Sequence, residues 1–192
     1  MQLAANVLIE TVGDDGSTRT ERVLHVDRPK NALVSLDLEM AAAMPVWSEL
    51  SSVQTALGEG GTRVLHHDPW FIPPREDSQL TEAERLGRDR AWSIVAPIVT
   101  ASPEEVFDRK ARGRLVAQVL ERGLATKPTI YQYLRRYWRG GQSIHALIPH
   151  FKSSGAPGKA HRLCGQNSAS LCPRRSQENY LPESSRSRIV DV

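Results

Sequence analysis

The alternation of apolar and polar positions divides the chain into a strand-like first third and a helix-like middle. Residues 6–12 are β-prone and end at the turn signal Gly13-Asp14-Asp15-Gly16. Residues 22–27 alternate with period two, and Asn31–Leu38 is a further apolar run, so two or three short strands are predicted. Asp37–Met44 and Ser48–Leu57 favour helix on propensity, with Pro45 and the glycines at 58, 60 and 61 as breaks. Arg63–His66 reads as one more strand. Asp68-Pro69-Trp70 and the prolines at 73 and 74 make a connector, because proline continues neither a ladder nor a helix.

The period then changes. Thr81 with Glu84 is a capping-box pattern, and a helix is predicted from Thr81 to Val95 with Leu86, Trp92 and Val95 on its apolar side. Ser102, Pro103, Glu104 and Glu105 supply an N-cap, a first-turn proline and first-turn acids for the next helix. That helix either continues or gives way to another at Asp108, and ends at Gly123. The expected fold class is α+β: a small β-containing unit over 1–75, a helical domain over 79–142, an extended basic linker over 143–162 and a disordered tail over 163–192.

Residues 108–140 have the layout of a helix-turn-helix. Leu115, Val116, Val119 and Leu120 form the packing stripe of the first helix, and Gly123 suits the left-handed position that ends it. After Leu124 and Ala125, Thr126 can cap a second helix through the amide of Thr129, and Pro128 fits its first turn. At roughly 100° per residue, Ile130, Tyr133, Leu134 and Tyr137 fall on one side of this helix and Gln132, Arg135, Arg136 and Arg139 on the other. Helix, short glycine-containing turn and helix with a basic outer face is the arrangement of a DNA-recognition element.

Charge sharpens this picture. The formal net charge of +3 is unevenly spread. Residues 1–108 carry 9 Lys/Arg against 18 Asp/Glu, residues 109–140 carry 9 against one, and residues 141–192 carry 7 against 3. An acidic half joined to a basic segment is the footprint of a polyanion-binding surface. Within it, Lys127 and Thr129 lie at the helix N-terminus, where base edges are approached. Gln132 has the donor–acceptor pair that matches adenine, and Arg135 the fork that matches guanine. Arg109, Arg112, Arg114, Arg136 and Arg139 are expected on phosphates, which position the protein without reading sequence. Tyr131 and Trp138 can stack on bases, but packing is the better reading of Trp138. Lys152 and Lys159 extend the basic track, with Gly155 and Gly158 allowing close approach to a duplex.

Other chemistry is sparse. The apolar fraction of 40% and charged fraction of 24% are those of an ordinary globular protein. The longest apolar runs fall short of a membrane span, and Met1–Glu10 lacks the basic region of a signal peptide, so a cytoplasmic protein is expected with no membrane partner. His161, Cys164 and Cys172 have a spacing unlike a zinc knuckle, and no metal, cofactor or catalytic residue is expected.

One stretch carries a more specific signal. It runs from Thr129 through Tyr131, Leu134, Arg135, Arg136, Tyr137 and Trp138 to Gly141 and Gln142. It continues through Ala146, Leu147, Ile148 and Pro149 to Lys152 and the glycine- and proline-containing segment ending at Lys159. This succession resembles the N-terminal region of TnsB-type transposases, within the Mu-like and integrase-like DDE group. The resemblance covers about residues 1–162. It implies sequence-specific binding of double-stranded transposon-end DNA during transposition, with an ATPase regulator and an endonuclease subunit as partners. In the family a basic linker leads on to an RNase-H-like catalytic domain holding two divalent metals. Here the pattern breaks after Arg162 into a Ser- and Arg-rich tail, and a truncated or frameshifted chain without that domain, and so not an enzyme, is expected. The alternative is a small regulatory protein-interaction module with non-specific DNA contact.

Overall fold

The described residues include the strands β1 (Leu8–Val12), β2 (Thr18–Asp27), β3 (Ala32–Asp37), β4 (Val46–Glu49) and β5 (Thr62–Leu65). They pair in the order β4-β3-β2-β1-β5, every pair antiparallel. The computed structural model describes residues 3–13 and 16–149. The expectations for Lys152, Lys159, the cysteines and the C-terminal tail lie outside the described residues.

Both faces of the sheet are covered. Ile9, Val23 and Leu33 meet Leu50, Val53 and Leu57 of α1 (Leu50–Glu59) on one side. Leu8, Leu24, Val34, Leu36 and Leu38 meet the helices on the other. This is why β3 reads as an almost unbroken apolar run: a strand buried on two faces has no polar face to alternate with. A register shift between Val23 and His25 in the β2–β3 ladder marks a bulge.

The structure departs from expectation between the strands. Residues 38–44, predicted helical from their alanines, form turns. Asp37 accepts from the backbone N–H groups of Glu39 at 2.8 Å and Met40 at 3.0 Å, a local bond that competes with helix formation. Ser48 and Glu49, predicted to open a helix, belong instead to β4, which pairs Val46–Glu49 with Ala32–Ser35, and α1 begins only at Leu50.

The helical part follows its caps closely. Thr81 and Glu84 form the capping box of α2 (Glu82–Val99), which runs through Pro97 to end past the expected Val95. Its inward face is Arg88, Ala91, Ile94, Val95 and Ile98, whereas Leu86, expected on the apolar side, is 64% exposed. Ser102 and Glu105 cap the single-turn α3 (Pro103–Phe107) in the same way. Asp108 ends α3 and starts α4 (Arg109–Glu121), its carboxylate accepting from the Ala111 N–H at 2.7 Å. After Gly123, which has φ +67°, comes α5 (Lys127–Arg139), and a 3-10 turn at Ile144–Leu147 follows. α2, α4 and α5 pack with the sheet into one core through Ile94, Ile98, Val116, Val119, Ile130 and Leu134. All the described residues fall in one compact unit.

Candidate nucleic-acid interface

The second helix of the helix-turn-helix, α5, is held by Ile130, Leu134 and Trp138, none of which has exposed surface. These residues recur every four positions and so form one stripe. Trp138 is the centre of the packing. Its ring lies 6.3 Å from that of Phe107, and Tyr137 beside it lies 6.0 Å from Trp92. The packing reading of Trp138 therefore stands.

The two halves of α5 differ. At its N-terminal half Lys127, Pro128 and Gln132 are exposed, and Thr129, Tyr131 and Arg135 are half-buried. The Thr126 hydroxyl shares a hydrogen bond with the Thr129 hydroxyl at 2.9 Å and makes no bond to a backbone amide, so the expected cap through the Thr129 N–H is absent. Arg109 and Arg114 on α4 are exposed. Lys110, beside Arg109 in the same basic run, is also exposed and was not singled out from the sequence.

The C-terminal half of α5 is committed to the protein. Arg136 donates to the Ile148 carbonyl at 2.7 Å, and Arg139 donates to the Leu38 carbonyl on the sheet side. Burial lowers the pKa of Arg136 from its usual value. Both arginines point outward on a helical wheel, but the chain returning after Gly140 and the connector at Trp70 and Ile72 cover that end of the helix. Gln142 reinforces the join by donating to the Leu24 carbonyl at 2.9 Å.

Arg112, expected on a phosphate, is 4% exposed and donates to the carbonyls of Val106 at 3.0 Å and Phe107 at 3.1 Å. Burial holds its pKa below the usual guanidinium value, with the Tyr131 hydroxyl opposing that shift. The structure thus separates the basic residues into two groups. Arg109, Arg114, Lys127 and Arg135 remain accessible together with Thr129 and Gln132, while Arg112, Arg136 and Arg139 are engaged within the fold.

Among the described residues no group of three or more His, Cys, Asp or Glu is placed to hold a metal ion. No helix among them is long and apolar enough to cross a membrane.

Comparison with known proteins bears on this helical part of the chain. Residues 88–151, which include α4, α5 and most of α2, match the family model of the TnsB second domain. That stretch is similar to the TnsB second domain. The chain is also 35% identical over 105 residues to the Transposon Tn7 transposition protein TnsB of Escherichia coli, a match that takes in 55% of this chain and 15% of that protein. The resemblance to TnsB-type transposases read from the sequence is thereby shown, over a small part of the relative's length.

Proposed function

We propose that this chain binds double-stranded DNA at transposon ends, with the N-terminal half of α5 in the major groove. The observation that carries the reading is the division along α5. Its C-terminal arginines donate to Ile148 and Leu38, while Lys127, Thr129, Gln132 and Arg135 remain accessible at the end of the helix that usually approaches base edges. Gln132 then pairs with adenine and Arg135 with guanine, and Arg109, Arg114 and Lys127 neutralise phosphates. The match to the TnsB second domain supports a role in transposition. On this reading the partners are other transposition proteins, an ATPase regulator and an endonuclease subunit.

Fluorescence anisotropy with a transposon-end duplex and a scrambled duplex, at two salt concentrations, tests the proposal. Specific recognition gives roughly a thousandfold preference or more for the end sequence. Equal, weak binding to both duplexes that vanishes with salt overturns it.

One observation favours a second reading, a protein-interaction module. The edge strand β4 exposes Val46 at 55% and Trp47 at 37%. Exposed apolar edges of this kind pair with other chains, and stable complex formation without DNA would support that role.

A further inference from the structure

A groove of about 630 Å³ runs between the start of α4 and the flank of α5. Three accessible cations line it, Arg109 from α4 and Lys127 and Arg135 from α5, with the buried guanidinium of Arg112 behind them. No carboxylate is among its lining residues. Asp108, next to Arg109 in the chain, turns its carboxylate to the Ala111 N–H. Like charges gathered in one groove repel one another, and the apolar surface around them weakens the screening of that repulsion. The arrangement is therefore built for an anion.

Arg112 forms the floor: it is almost wholly buried and is held by the Val106 and Phe107 carbonyls, so its charge acts on the groove from beneath. The opposite wall is contributed by the sheet, through Met44 and Pro45 between β3 and β4, with Phe107 beside them.

We propose that this groove seats a backbone phosphate of duplex DNA, and that the sheet unit, through Met44 and Pro45, is part of the DNA interface. The inference rests on the reading of α5 as the recognition helix. Lys127 and Arg135 belong to both surfaces, so the strand bordering the major groove that α5 enters passes over this groove. An oxygen-rich, singly charged phosphodiester matches the guanidinium groups, and the flanking sugar meets the apolar wall.

Gly113→Glu tests the groove. Gly113 lines the groove and a Cβ built there meets nothing within 4 Å, so the substitution introduces a carboxylate beside the cations from an uncrowded position. Ala117→Glu, on the exposed side of α4 and outside the groove, makes the same change of charge. With the full chain and one transposon-end duplex, G113E is expected to weaken binding at least tenfold relative to A117E. It should also flatten the salt dependence by about one phosphate contact.

Equal losses in the two variants, or no loss in either while the wild-type chain binds, overturn the groove and leave the DNA reading standing. A wild-type chain that binds no duplex overturns both. Tighter binding to a single strand than to the duplex overturns the choice of duplex DNA. A second measurement needs no variant. Peroxide oxidation of Met44, followed by mass spectrometry, should slow on saturation with duplex relative to the exposed Met40, and an unchanged rate removes the sheet from the interface.

Discussion

The guanidinium carbon of Arg112 lies 5.9 Å from the ring centroid of Trp138. A cation over an indole face is attracted by the ring quadrupole. The same guanidinium binds two carbonyls at the end of α3, so one side chain joins α3, α4 and α5. Removing it as Arg112→Met leaves Val106 and Phe107 without that donor. The expected loss is about 1–3 kcal/mol of stability, read by urea unfolding. A residue that served only as a surface phosphate contact would leave the urea midpoint unchanged.

Trp138 has no exposed surface and sits where α5, Phe107 and the sheet converge. Trp138→Ala is expected to remove roughly 3–5 kcal/mol, enough to unfold a marginal domain. Thermal melting followed by near-ultraviolet circular dichroism reads this directly. A variant that melts within a few degrees of the wild type would place the packing centre elsewhere.

DNA affinity separates the accessible side chains by role. Arg135→Ala or Gln132→Ala is expected to relax preference at one base pair, with about 1–3 kcal/mol lost at the cognate site. Lys127→Ala or Arg114→Ala should weaken all duplexes alike and flatten the salt slope by about one. Titrations against cognate and scrambled duplexes distinguish the two patterns, and identical behaviour in both sets contradicts the assignment of the reading face.

Much of the helical half was legible because its signals are local. Thr81 with Glu84, Ser102 with Pro103 and Glu105, and Gly123 each specify a terminus by chemistry confined to a few residues, and each is found there. The sheet was only partly legible, since β4 exists through its pairing with β3, a contact its own four residues do not announce. The alanines at 41–43 misled for the opposite reason: their helix propensity is weak beside the turn made by Asp37 and the packing of Leu38 and Ala43. The site divides similarly. A helical wheel puts Arg136 and Arg139 opposite the packing stripe, but it cannot show that the segment after Gly140 and the end of β3 come back over that half of α5.

Acid should loosen the join between the 3-10 turn at Asp77–Gln79 and α2. Asp77 accepts from Arg88 at 2.5 Å, and this bond holds its carboxyl below the ordinary range while raising the Arg88 pKa. The folded carboxyl is the stronger acid, so the contribution is fully present above the ordinary carboxylate range. It disappears as the pH falls through the folded value. Asp77 is exposed, which keeps the effect small. Stability measured from pH 7 down to pH 3 should fall less steeply in Asp77→Asn than in the wild type, and parallel curves would rule out this contribution.

Gly140 is constrained by contact. A Cβ there would lie 2.3 Å from the Ala146 Cβ and 3.2 Å from the Arg136 carbonyl oxygen. Gly140→Ala is expected to push the 3-10 turn at Ile144–Leu147 off α5, with roughly 1–3 kcal/mol lost to overpacking. Hydrogen exchange of the Ala146 and Ile148 amides reports the displacement, and unchanged protection would mean that the turn accommodates the methyl group.

The bonds from Arg139 to Leu38 and from Gln142 to Leu24 bear on where this protein can be cut. The stretch matching the TnsB second domain starts at residue 88, inside α2 and beyond its Thr81 cap. A fragment made to that boundary loses residues 82–87 of α2 and bares a face that Leu24, Val34, Leu36 and Leu38 cover in the longer chain. The stretch that matches and the stretch that packs as one core are therefore different lengths of this polypeptide, and a dissection that keeps the core whole begins upstream of β1.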